Sequence, residues 1–310
     1  MRFSEPTRTP NTRALVVLVA LDVLVVSALC AAPATRPTTT PATRPVYPPP
    51  ELVRACAAAE AKATARIDDA SFHSVLRPPF VVIGNLPPSS LARVADGSVV
   101  RPAEAMWRSY FTRRPTDPIL VYLFRDEASY RPWAKKLFDD DDVPHFGYYR
   151  HADRTMVMNI ATGTGTLVHE LTHALIAYDF PNVPTWFNEG LGSLHEQCTV
   201  QPDVIVGLAN WRLPALQKAL ADGECGPLEE LVSRGDFYGP RRGLNYAQAR
   251  YFVMYMQQQG VLKKFYHHYR ARHPKGDTAV QAIEAVFGKP LKTVEAECTK
   301  WVKTLSFPPR

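Results

Sequence analysis

The chain is 310 residues long and 46% apolar, enough for one substantial core or two modest ones once an N-terminal leader is set aside. Its formal charge is +6, but residues 1–50 carry five Arg against Glu5 and Asp22 and so supply +3 of it, leaving +3 spread over the rest. That dilute positive charge argues against a nucleic-acid partner, and the apolar content excludes a disordered chain beyond the N-terminus.

Arg2, Arg8 and Arg13 precede an apolar run over residues 14–29, broken only by Asp22 and Ser27, which is the pattern of an export signal. At about sixteen residues the run is shorter than the roughly twenty a membrane span needs. Residues 1–31 are therefore expected to act as a signal peptide, with a retained anchor as the alternative. Cys30 follows Ser27-Ala28-Leu29 as in a lipidation site, although Leu29 is not the small residue such a site prefers. The protein is expected to be exported, whether periplasmic, envelope-anchored or extracellular, and to meet the membrane only through this segment. Residues 32–50 are almost wholly Pro, Thr, Ala and Arg and form an extended spacer. In an oxidising compartment Cys56, Cys198, Cys225 and Cys298 can pair, and Cys198 with Cys225, flanking a loop-rich stretch, is the first pairing expected; the alternative is four buried thiols.

An Ala-rich helix is expected over residues 51–68, then a strand over residues 80–84 with a turn after it, and a helix near residues 102–111. A buried strand follows over residues 118–124. Asp126 is placed to cap a helix that runs to residue 138. The acidic run at residues 139–142 lacks the alternation and the glycine of a calcium loop and reads as a solvated loop. Residues 154–160 alternate, with Met156, Met158 and Ile160 on one face and Thr155, Val157 and Asn159 on the other, which predicts a half-exposed strand at the rim of a cleft. There an extended substrate could add as a further strand. Helices are then expected over residues 166–178, 185–196, 213–221, 246–259, 262–272, 278–287 and 291–305. The fold class is α+β: a lobe with a small mixed sheet over residues 51–200, then a helical lobe over residues 201–310.

The chemistry is concentrated in His169-Glu170-Leu171-Thr172-His173. Two histidines four apart project from one face of a helix about one turn apart, a separation that a zinc ion spans, and Glu170 leans toward the water beside the metal. Catalytic zinc takes three protein ligands. Asp179, six residues after His173, is one candidate, but the sharp bend that this short spacing needs calls for a glycine where the chain has Ile176. Glu189 fits better: residues 184–193 begin a second helix with Pro184 at its start and apolar residues to bury it, and a short loop can return it antiparallel to the first. Gly190 and Gly192, costly inside a helix by about 1 kcal/mol each relative to Ala, are explained if that helix packs closely against a neighbour.

The segment HELTH followed by PTWFNEGLGSLHE resembles the gluzincin clan of zinc metallopeptidases, especially bacterial peptidase MA-like domains whose catalytic segment reads HExxH and then W-x-x-E-G. The similarity covers residues 154–196, with a less specific echo in YAQARYFVMYM. It implies a zincin-like lobe, zinc held by His169, His173 and Glu189, and Glu170 as general base. The gap from His173 to Glu189 is shorter than in the thermolysin-like and aminopeptidase branches, so their substrate preferences do not carry over. Members of the clan supplement the metal with a hydrogen-bond donor to the developing oxyanion; Tyr246 is the candidate here, with Tyr148 and Tyr149 as alternatives. Ser193 and Glu196 are candidates to steady the ligand histidines. His195, His267 and His268 read as surface residues. The expected activity is zinc-dependent hydrolysis of a peptide or protein substrate by a monomer; the alternative is a catalytically weak zinc-binding module that docks a protein partner at the cell envelope.

Overall fold

The computed structural model describes residues 47–307, apart from 203 and 234, and these belong to one compact unit spanning Pro45–Arg310. The expected leader and all but the last few positions of the spacer lie outside the described residues. Tyr47, near the spacer's end, sets its ring edge-on to Trp107 at 6.1 Å, under the Arg114 guanidinium at 4.7 Å, and donates its hydroxyl to the Pro115 carbonyl. Among the described residues no helix is long and apolar enough to cross a membrane.

The fold is α+β. Strands β1 (His73–Arg77), β2 (Phe80–Gly84), β3 (Ile119–Phe124), β4 (Gly147–Arg150) and β5 (Thr155–Asn159) form a five-stranded mixed sheet in the order β1-β2-β3-β5-β4. The three central strands are parallel, and β1 and β4 lie antiparallel on the edges. Alternate side chains divide the sheet between two cores. Val81, Ile83, Tyr122, Phe124 and Val157 pack against α1 (Pro50–Ile67) and α4 (Glu127–Phe138). Val82, Val121, Leu123, Met156 and Met158 belong to a larger core with α3 (Arg101–Ser109) and α5 (Gly165–Asp179). Asp126 caps α4 as expected, its side chain accepting from the Ser129 amide at 2.8 Å.

The strand expected at the cleft rim is instead interior. All five positions of β5 are buried, and β3 and β4 take its two edges, so its backbone has nothing left to offer a substrate. The alternation that suggested exposure has another cause: α1 and α4 cover the second face. There the Thr155 hydroxyl donates to the Asp153 carbonyl and the Asn159 side-chain nitrogen to the His145 carbonyl. The edges of the sheet belong to β1 and, beyond β5, to β4, neither of which the sequence pattern revealed.

The larger core continues into the helical part: α6 (Thr185–His195), α7 (Leu213–Asp222), α8 (Leu228–Ser233), α9 (Arg242–Gln258), α10 (Leu262–Arg272), α11 (Ala279–Phe287) and α12 (Leu291–Thr304). Besides β1 and β4, the short elements not anticipated include α2 (Pro88–Val94), α8, and a hairpin of β6 (Cys198–Val200) with β7 (Ile205–Gly207). That hairpin, together with α7 where a helix was expected, fills the stretch between Cys198 and Cys225, and the expected disulfide is not formed. Cys198 sits by Tyr110 and Arg250, Cys225 lies with Cys298 between α7 and α12, and all four described cysteines are free. Burial pushes the thiols of Cys56 and Cys198 up to about 11, which keeps them protonated and unreactive.

Candidate metal centre

Helix α5 begins after a turn in which Gly163 adopts φ of 101°, in the left-handed region open to glycine. Leu167, Leu171, Ala174 and Leu175 bury the helix. Its other face carries His169 and His173, both buried, with ring centroids 4.6 Å apart. Pro184 precedes α6, where Trp186, Phe187, Leu191 and Leu194 are buried and Glu189 faces the two histidines. The two glycines have separate tasks. A Cβ on Gly190 would meet Val253 at 2.9 Å and the Ala249 carbonyl at 3.0 Å, so Gly190 lets α6 lie close on α9. A Cβ on Gly192 would stand 3.1 Å from both His169 Nε2 and His173 Cε1, so Gly192 leaves room for the imidazoles.

Glu189 Oε2 lies 3.3 Å from His169 Nε2 and 3.6 Å from His173 Nε2. Two ligands each about 2.0–2.1 Å from a tetrahedral ion are separated by about 3.3 Å, so the spacing suits one metal ion between them. The buried Oε2 has no hydrogen bond of its own. The opposite ring nitrogens are held by acceptors: His169 Nδ1 donates to Glu196 Oε1 at 3.1 Å, and His173 Nδ1 to Asn188 Oδ1 at 2.9 Å. That fixes the Nδ1 proton and turns each Nε2 toward the shared centre, as second partners do for ligating histidines. Glu196 is in turn gripped by both terminal nitrogens of Arg212. His169, His173 and Glu189 thus form a buried group able to hold a metal ion.

Electrostatics follow from the same geometry. Burial opposes a charge on His169, but the Glu189 and Glu196 carboxylates outweigh it and push the imidazole up to about 10. Burial likewise opposes charge on Glu189, yet the two histidines hold its carboxyl far below the usual range. Glu170 is raised, chiefly by burial and further by Glu189 and Glu196, against the pull of His169 and His173.

Asp179 is elsewhere. It is fully buried, accepting from the Thr112 and Arg113 amides at 2.8 and 2.6 Å and from Tyr266 at 2.7 Å, and it pairs with Arg270. Tyr246 lies half-buried beside Glu189, whose charge and hydrogen bonding, after burial, raise its phenol. Tyr148 is committed to Asp140, and Tyr149 packs against His151 at 4.7 Å. Glu196 serves His169 as expected, whereas Ser193 Oγ is buried with no partner. His195 is not a surface residue: it is fully buried under Tyr110, with Nδ1 on the Thr172 hydroxyl at 2.9 Å, and burial together with Arg250 lowers it to about 3. It packs α6 against α5 and takes no part in the metal group.

Four residues of the centre escaped the sequence reading. Asn188 directly precedes Glu189 and was legible from its place in the motif. Arg212 and His151, the latter near enough for the charges of His173 and Glu189 to act on it, come from distant loops, as does Tyr238, which donates to Glu189 Oε1 at 2.6 Å. No family model matches the chain, and no curated protein is significantly similar to it in sequence.

Proposed function

We propose that the protein is an exported zinc metallopeptidase of the gluzincin type, hydrolysing peptide bonds with Glu170 as general base. One observation carries the reading: the metal group has three protein ligands among the described residues, and a raised carboxyl, Glu170, stands one residue from the first. A structural zinc site is closed by four protein ligands, while a three-ligand set leaves a position for water and substrate. Two imidazoles and a glutamate are one of the ligand sets that hold catalytic zinc, with the fourth position left to water.

A divalent ion held there supplies Lewis acidity, acidifying water and polarising a carbonyl. Glu170 takes a proton from the attacking water on its carboxylate and returns it to the leaving amine. Tyr246, neutral because burial and Glu189 raise its phenol, can donate to the oxyanion beside the ligands. An extended peptide would add at the edge of β4 that no strand pairs, since His151, just past the end of β4, feels the charges of His173 and Glu189.

Glu170→Gln tests the reading. It should retain one zinc per chain while peptide hydrolysis falls by at least about a hundredfold, the scale of a lost general base. Turnover like that of the unaltered protein in an assay on a peptide library would refute the assignment.

A further inference from the structure

We infer that Tyr238 is a positioning residue that holds Glu189 as a one-oxygen ligand and so keeps the metal's remaining position open. The inference rests on the metal reading above, and it comes from the unequal placement of the two carboxylate oxygens. Oε2 faces both histidine Nε2 atoms, at 3.3 and 3.6 Å. Oε1 accepts the Tyr238 hydroxyl at 2.6 Å. A phenol on a carboxylate at that distance is a charge-assisted bond, of the stronger class. To grip an ion with both oxygens, Glu189 would have to give up that bond and turn Oε1 inward. The added ligand atom would fill the coordination that water and substrate need.

The tyrosine is held firmly enough to do this. Its neighbour Phe237 is buried, stands edge-on to the Tyr238 ring at 5.5 Å, and its carbonyl accepts from the Asn245 side chain at 2.7 Å. The Gly239 amide closes a turn on the Asp236 carbonyl at 2.9 Å, and the Tyr246 ring lies 6.5 Å from that of Tyr238. The loop after α8 is thus fastened from beneath, while Tyr238 itself is 57% exposed. Packing alone does not account for a tyrosine so exposed whose hydroxyl reaches a buried carboxylate. Loss of the hydroxyl should accordingly leave the core untouched.

The test uses full-length protein and Tyr238→Phe, each stripped of metal and titrated with Co2+, whose visible absorption reports coordination number, and with Zn2+ against a chelator. The variant should melt like the parent when metal-free, bind Zn2+ about 10- to 100-fold more weakly, and give a weaker cobalt band, shifted as expected for an ion that has gained a ligand. An unchanged cobalt spectrum, with or without a loss of affinity, would overturn the inference and leave the metal reading standing. Failure of the parent protein to bind either ion would overturn the metal reading and this inference with it.

Discussion

At the scale of single residues, the proton on His169 is the feature with the most direct consequence. Burial alone would strip it, but Glu189 and Glu196 on either side push the imidazole up to about 10, so in the metal-free protein both ring nitrogens carry protons at neutral pH. The Nε2 proton then occupies the place of the cation, and metal binding must expel it. Zinc titrated calorimetrically at pH 7 in buffers of differing ionisation enthalpy should release about one proton from this ring; heats independent of buffer would contradict the arrangement. The same shift sets a stability window. A group raised from 6.5 in the unfolded chain to about 10 stabilises the fold fully below 6.5 and loses that contribution as pH climbs through 10. Glu189, depressed from 4.5, has the opposite sign: its contribution is present above 4.5 and lost in acid. The melting temperature of the metal-free protein should therefore fall between pH 7 and 10. Because metal no longer competes with the proton at high pH, the gap between loaded and free protein should widen over that range, and a constant gap would count against it.

At the scale of elements, α6 is the piece on which the site depends, and its two glycines make separable predictions. Gly190→Ala forces a methyl into Val253 and the Ala249 carbonyl, so it should destabilise the fold by about 1–3 kcal/mol in urea unfolding while metal affinity changes little. Gly192→Ala forces it against His169 and His173 and should weaken metal binding as well. Equal effects of the two on affinity would refute this division. Both glycines were legible in the sequence as a helix that must pack closely, and α5, α6 and the clustered His169, His173 and Glu189 were legible because a local motif encodes them. What was not legible is whatever depends on partners distant in sequence. Alternation in residues 154–160 says that two faces differ, but it cannot say that α1 and α4 cover the second face or that β4 takes the edge. Short β1 and β4 carry too few residues for a period to show. Cys198 and Cys225 looked free to pair because the hairpin after Cys198 read as loop, although the helix at α7 was expected. Tyr238 and Arg212 reach the site from loops with no pattern at all.

At the scale of the whole molecule, Asp179 ties the end of α5 to the segment after α3 and to α10 through Thr112, Arg113, Tyr266 and Arg270. Burial raises its carboxyl, but these donors together hold it below the usual range. Asp179→Ala strands a cation and several donors, and its loss should destabilise the fold by about 3–5 kcal/mol, measured by urea unfolding, with metal content unchanged. The same variant separates the two candidates for third ligand, one structural and one in the metal group. The central claim, that His169, His173 and Glu189 together hold a metal, is tested most directly by the metal content of the full-length protein and four variants after dialysis against a weak chelator. One zinc per chain should remain in the unaltered protein and in Asp179→Ala, and be lost from His169→Ala, His173→Ala and Glu189→Ala. Full occupancy in Glu189→Ala, or loss in Asp179→Ala while that variant remains folded, would contradict it.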